Sequence, residues 1–194
     1  MVVPLLGSAD PLPCRPRRVL VAGTSGSGKT TLAARIGTAL HAPHVEIDSL
    51  FHGPSWTRRP SFEDDVRLFS AGPAWVTEWQ YSSVRTHLAD LADLVVWLDL
   101  PRITVLSQVV RRTVVRRLRR QQLWNGNVEP PLWTVFTDPE HIVRWAWNTH
   151  PKTAARVDEL LARRPELPVV RLRGHAAADR WLRGPLQIAL RDRP

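Results

Sequence analysis

The 194-residue chain has a single cysteine, Cys14, and that scarcity excludes a disulfide framework or a thiolate zinc or iron–sulfur site. No apolar run approaches the ~18 residues needed to cross a membrane. The opening stretch, MVVPLLGSADPLPCRPRR, has no basic segment ahead of its short apolar run and carries prolines through it. It reads as a loose tail over residues 1–17 rather than a secretory leader, with a cytoplasmic protein as the expectation. Acidic residues are also short: 18 Asp and Glu face 27 Lys and Arg, a net charge of +9. Lysine itself is rare. Only Lys29 and Lys152 occur beside 25 arginines, so either lysine stands out against the chain's default choice of base.

What is present is an alternation of short apolar runs with helical stretches. RVLVAG (Arg18–Gly23) is a continuous apolar run closed by glycine, which suits a buried parallel strand. Leu32, Ile36 and Leu40 recur at helical spacing in Lys29–Leu40. Further strands are expected at His44–Asp48, Ala74–Trp79, Asp93–Leu100 and Leu167–Arg173. Further helices are expected at Ser61–Ser70, from Arg102 to about Leu123, near His141–Trp147, over Thr153–Arg164, and at Ala176–Arg183. This order predicts a parallel sheet covered on both faces, in one domain spanning 18–194.

The first strand runs directly into G-T-S-G-S-G-K-T, Gly23 to Thr30, and then into a helix. That is the complete G-x-x-x-x-G-K-[ST] pattern in the strand–loop–helix setting it requires. The spacing has a chemical reason. Gly23, Gly26 and Gly28 let the backbone wrap a phosphate, with Thr24, Ser25 and Ser27 supplying further N–H groups. The helix start, Lys29 to Thr31, adds its positive dipole end. Lys29 is placed for the β- and γ-phosphate oxygens and the Thr30 hydroxyl for Mg²⁺. The motif points to a nucleoside triphosphate, ATP with Mg²⁺, without naming an acceptor. No guanine-specifying N-K-x-D string occurs.

Functional side chains of such sheets gather at the carboxyl ends of the strands. Asp48, Glu78 and Asp99 occupy such places. Asp48 is suited to accept a hydroxyl proton or to hold a metal-bound water, or else to cap the D-S-L-F turn. Glu78 is a candidate to hold Mg²⁺ through water. Asp99 has the pattern of a metal-binding strand-end aspartate, or of a helix cap. Seven arginines (102, 111, 112, 116, 117, 119 and 120) lie between Pro101 and Val128 without one acid. Arg112, Arg116, Arg119 and Arg120 share one helical face. Arginines so placed can stabilise a transferring phosphoryl group, with Arg112 and Arg116 the candidates, or can clamp a nucleic-acid backbone. His41, His44 and His52 lie near Asp48 without a ligand repeat at fixed spacing, so no zinc site is expected.

From Arg18 to about Leu182 the chain resembles bacterial adenylate-kinase-like P-loop proteins of the DNA topology modulation group. The resemblance rests on GTSGSGKTTLA, on H-V-E-I-D-S-L-F around Asp48, and on P-x-W at Pro54–Trp56. Gln80–Arg85 (Q-Y-S-S-V-R), Trp97–Arg102 (W-L-D-L-P-R) and Arg144–Trp147 (R-W-A-W) extend it. It implies a three-layer α/β/α P-loop fold, a five-stranded parallel sheet in the order 2-3-1-4-5, and an Arg-rich helical lid over about 102–150. By position Arg85 becomes an acceptor-phosphate ligand. Two departures from the group's pattern stand out. Its usual Asp-Gly is Glu78-Trp79 here, and the R-x-x-x-R that begins the lid reads Gln108 and Arg112.

Two functions follow as expectations. The first is a kinase-like phosphotransferase moving the γ-phosphoryl group of ATP to a small-molecule or nucleotide acceptor. The second is a nucleic-acid-associated regulatory ATPase that uses the arginine stripe as a backbone clamp.

Overall fold

The computed structural model describes residues 5–118 and 142–191, with side chains described outside 116–118 and 142–150. Five strands build one parallel sheet: β1 (Arg18–Gly23), β2 (His44–Val45), β3 (Trp75–Glu78), β4 (Leu94–Leu98) and β5 (Val169–Leu172). Their spatial order is β2-β3-β1-β4-β5, the arrangement the family resemblance implies. β1 lies between β3 and β4, pairing Val19 with Val76 on one side and with Leu94 on the other. Every residue of β3 and β4 is buried, as expected of strands with helices on both faces.

Eight helices flank the sheet among the described residues: α1 (Lys29–Leu40), α2 (Ile47–Phe51), α3 (Phe62–Ser70), α4 (Ser82–Leu91), α5 (Arg102–Leu118), α6 (Ile142–Arg163), α7 (His175–Arg183) and α8 (Pro185–Arg191). Strand alternation divides the core into two layers. Val19 and Val21 face a cluster with Leu32, Ile36, Val105, Val109, Trp181 and Leu186, from α1, α5, α7 and α8. Leu20 and Ala22 face Ile47, Phe62, Leu88, Val157 and Leu160, from α2, α3, α4 and α6.

Three local expectations are corrected, and helices α4 and α8 are additions to the elements expected. The second strand ends at Val45, so Asp48 sits in the first turn of α2 rather than at a strand end. The expected break between two helices near residue 150 is one helix, α6, which carries Pro151 within it. A proline removes one intrahelical hydrogen bond, and the helix continues past it; α6 also packs against α5. Helix α4, whose sequence lacks a strong apolar period, forms because Val84, Leu88 and Ala89 pack onto the sheet. The segment before β1 is anchored rather than loose at Leu6, which is buried. Leu6 N–H donates to Val169 O at 2.8 Å and Arg171 N–H to Leu6 O at 2.7 Å. The lid expected over about 102–150 is described only at α5 and at the start of α6; Arg119, Arg120 and Trp124 to Trp133 lie outside the described residues.

Candidate active site

The loop between β1 and α1 adopts backbone angles that explain its glycines. Gly26 and Gly28 have φ of 83° and 93°, in the left-handed region that side chains disfavour. Space is short as well. A methyl group on Gly26 would overlap Val109 Cγ2 of α5, and one on Gly23 would lie 2.7 Å from Ser27 Oγ. The turn is closed by Ser27 N–H donating to Thr24 O at 3.1 Å, and α1 begins with Leu32 N–H donating to Gly28 O at 3.0 Å. Thr24, Ser27 and Lys29 are all buried. Thr30 is half-buried and Thr31 exposed on the first turn.

Lys29 is the electrostatic centre of this end of the sheet. Its Nζ donates to Thr24 O at 3.1 Å, folding the side chain back over the loop. Burial pushes its pKa down from 10.5 to about 8, opposed by the negative charges of Asp48 and Glu78 and assisted by Arg112. Three side chains chosen from sequence thus lie within electrostatic reach of Lys29 on α1: Asp48 from α2, Glu78 from β3 and Arg112 from α5.

Asp48 is held by the segment that follows β3. Tyr81 OH donates to Asp48 Oδ1 at 2.6 Å and Gln80 Nε2 donates to the same oxygen at 3.2 Å. His52 Nε2 lies 3.3 Å from the Tyr81 hydroxyl. Aromatic rings wall the cluster: Tyr81 stacks on Phe51 with centroids 4.0 Å apart, and Trp56 meets His52 edge-on at 5.1 Å. Burial lowers the pKa of His52, opposed by Asp48.

Glu78 is buried beneath this cluster and both of its oxygens meet protein groups. His44 Nε2 lies 3.2 Å from Oε1, and Ile47 N–H donates to Oε2 at 3.2 Å. Burial pushes this carboxyl up, but the His44 and Ile47 contacts outweigh it and hold the group below the ordinary carboxylate range. Ile47 opens α2, so Glu78 fixes from the neighbouring strand the helix that presents Asp48.

The remaining candidates stand apart. Arg85 packs over the Trp79 ring at 5.9 Å, and its nearest charges are Arg156 and Glu159 of α6. Its Nε is buried without a hydrogen-bond partner among the described residues. Trp79 is itself buried, its indole donating to Arg85 O at 3.1 Å. Asp99 is taken by Arg171, whose Nη2 lies 2.6 Å from Oδ2, while that guanidinium covers the Trp97 ring at 4.5 Å. The side chain of Arg116 is outside the described set. Among the described residues no group of three or more His, Cys, Asp or Glu is placed to hold a metal, and no helix is long and apolar enough to cross a membrane.

A cavity of about 120 Å³ opens beside the loop between Gly28, Thr31, Leu32, Arg35, Leu98 and His175. Across its mouth, Gln108 Nε2 lies 2.7 Å from His175 Nε2, joining α5 to α7. A larger hollow of about 260 Å³, lined by Arg15, Arg17, Leu40 and Pro73, lies at the opposite, amino-terminal end of the strands and is remote from Lys29.

The residues fit a bound triphosphate. Gly26 and Gly28 hold the left-handed backbone that suits a loop wrapping a phosphate, Ser27 Oγ is buried without a partner among the described residues, and Lys29 supplies a buried charge. No protein-family model matches the sequence, and no curated protein matches it. Solved structures do share the fold. A gluconokinase from Sinorhizobium meliloti 1021 superposes with a TM-score of 0.52 at 18% identity, covering 91% of this chain and 95% of that one. A shikimate kinase from Acinetobacter baumannii in complex with shikimate superposes with a TM-score of 0.53 at 16% identity, covering 91% and 94%. The chain therefore has a P-loop kinase fold, with a five-stranded parallel sheet in the order 2-3-1-4-5.

Proposed function

We propose that the protein is an ATP-dependent phosphotransferase acting on a small hydroxyl-bearing acceptor. The observation that carries this reading is the placing of Asp48 opposite the phosphate cradle, within electrostatic reach of Lys29 and fixed by groups outside the cradle. A half-buried carboxylate held in this way is placed to take the proton of an attacking hydroxyl. The fold of the two structural neighbours, a gluconokinase and a shikimate kinase, supports the same class.

Gly23 to Thr31 receive the phosphates through backbone N–H groups and the helix dipole. Mg²⁺, held by the Thr30 hydroxyl and by Glu78 through water, supplies charge neutralisation on the phosphate oxygens. Lys29 and Arg112 serve the γ-phosphoryl oxygens where charge spreads during transfer, and the sequence spacing assigns Arg116 the same role. The acceptor hydroxyl oxygen forms the new bond to the γ-phosphorus as the bond to the β-phosphate oxygen breaks. Asp48 takes the hydroxyl proton. Arg85, beside Trp79, is the ligand for an anionic group on the acceptor. The nucleoside end of ATP lies in the cavity at Thr31, Leu32 and His175, where Gln108 stands in place of a base-stacking arginine. The basic stripe that a nucleic-acid clamp would use runs beyond the described side chains. The strings around Asp48 and Tyr81 support membership of the adenylate-kinase-like group.

The test is ATP consumption with Mg²⁺ across a panel of nucleoside monophosphates, nucleosides and small polyhydroxyl acids. At least one acceptor is expected to raise turnover well above basal hydrolysis, with the stimulation lost in Asp48→Asn. A panel that gives no stimulation overturns the reading.

A further inference from the structure

We infer that Tyr81 is a positioning residue that aims Asp48, reserving its Oδ2 oxygen for the acceptor proton; this rests on the phosphotransfer reading above. Tyr81 is the only tyrosine in the chain. Its backbone is strained, with φ of 55° and ψ of 114° at the start of α4. A bulky side chain in that region is costly and persists only where its surroundings hold it. The strain is local to this site. Of the four described non-glycine residues with positive φ, Tyr81, Ser55 and Trp56 lie in the segments around Asp48 and His52, and the fourth, His41, ends α1.

The strained backbone lays the Tyr81 ring flat on Phe51, in edge contact with Phe62, and brings its hydroxyl to Asp48 Oδ1. Gln80, one residue earlier, donates to that same oxygen. Two donors occupy the lone pairs of Oδ1, whereas no described group donates to Oδ2. A carboxylate fixed in this way presents one oxygen in one direction, which is what proton transfer from a positioned hydroxyl requires. The charges facing Asp48 come from several elements: Lys29 on α1, His52 at the end of α2, Glu78 on β3 and, beyond Lys29, Arg112 on α5. Burial, then the Asp48 charge and hydrogen bond, raise the Tyr81 phenol well above its usual value, so it stays a donor across the working pH range.

The experiment compares wild type, Tyr81→Phe and Asp48→Asn in Mg·ATP hydrolysis with water as the acceptor. Tyr81→Phe is expected to lower kcat about tenfold with the KM for ATP unchanged, one hydrogen bond to a charged group being worth about that much. Asp48→Asn keeping the wild-type rate overturns the phosphotransfer reading itself. Loss in Asp48→Asn with Tyr81→Phe indistinguishable from wild type overturns this inference alone, as does a Tyr81→Phe effect carried by the KM for ATP with kcat unchanged. A second readout needs neither turnover nor the Phe variant. Biosynthetic fluorotyrosine gives one ¹⁹F resonance, expected to titrate at lower pH in Asp48→Asn than in wild type; identical titration in the two also overturns the inference.

Discussion

Replacement of Gly26 by alanine tests how tightly the phosphate loop is keyed to α5. Gly26 has φ of 83°, and the added methyl overlaps Val109 Cγ2, a fully buried side chain. Two costs add. A non-glycine residue in the left-handed region costs about 1–2 kcal/mol, and forcing a methyl into a packed core costs about 1–3 kcal/mol. Gly26→Ala is thus expected to destabilise the chain by about 2–5 kcal/mol. With a urea slope of about 2 kcal/mol/M, the unfolding midpoint falls by about 1–2.5 M. A double-mutant cycle separates the terms. Val109→Ala alone costs about 2 kcal/mol through lost burial and the cavity left behind. It also removes Cγ2, so adding Gly26→Ala to Val109→Ala costs only the backbone strain, about 1–2 kcal/mol. The coupling energy is then about 1–3 kcal/mol, with the second substitution better tolerated after the first. Additivity within about 0.5 kcal/mol would refute direct packing of α5 on the loop.

Three further outcomes follow from the same geometry. Lys29 has a pKa of about 8 when folded and 10.5 as its ordinary value, so between those pH values the unfolded chain holds more protons. Stability without nucleotide therefore rises with pH across that window, by up to about 3 kcal/mol relative to Lys29→Met, and parallel stability curves for the two proteins would refute it. Glu78 is held below the ordinary carboxylate range, so the stability it lends is present above that range and lost as pH falls through the folded value. Urea unfolding of Glu78→Gln is expected to show a weaker loss in acid than wild type. Arg171→Ala, which breaks the pair with Asp99 and uncovers the Trp97 ring, should cost about 1 kcal/mol in thermal unfolding, half-exposed ion pairs being weak.

The local part of the fold could be read directly from the chain. RVLVAG and the helix from Lys29 to Leu40 have the bounds that apolar period and glycine placement indicate, because their burial follows from their own residues. What could not be read depends on distant partners. His44–Asp48 has the composition of a strand, yet Glu78 on β3 caps Ile47 and turns the chain into α2 after two strand residues. Asp99 has the pattern of a metal-binding strand end, but Arg171, 72 residues later, claims it. Leu6 looked like tail because the strand residue it faces, Val170, lies 164 residues away. The cradle was legible because one contiguous string carries it. Tyr81 lay within a string noted only for resemblance, and its role needed the fold to set it against Asp48. The available signal was its place just beyond the carboxyl end of a strand, in a chain with no other tyrosine.

The pairing of Leu6 with β5 also bears on how copies of this protein behave toward one another. An uncovered edge strand offers its free N–H and C=O groups to any other extended chain, and β5 is rich in valine and leucine. Leu6 occupies that edge at Val169 and Arg171, while the sheet's other edge, β2, is only two residues long. Neither border leaves a long, straight run to be extended. The short segment ahead of β1 thereby guards against edge-to-edge assembly, and its detachment would expose Val169 to Leu172 as a template for aggregation.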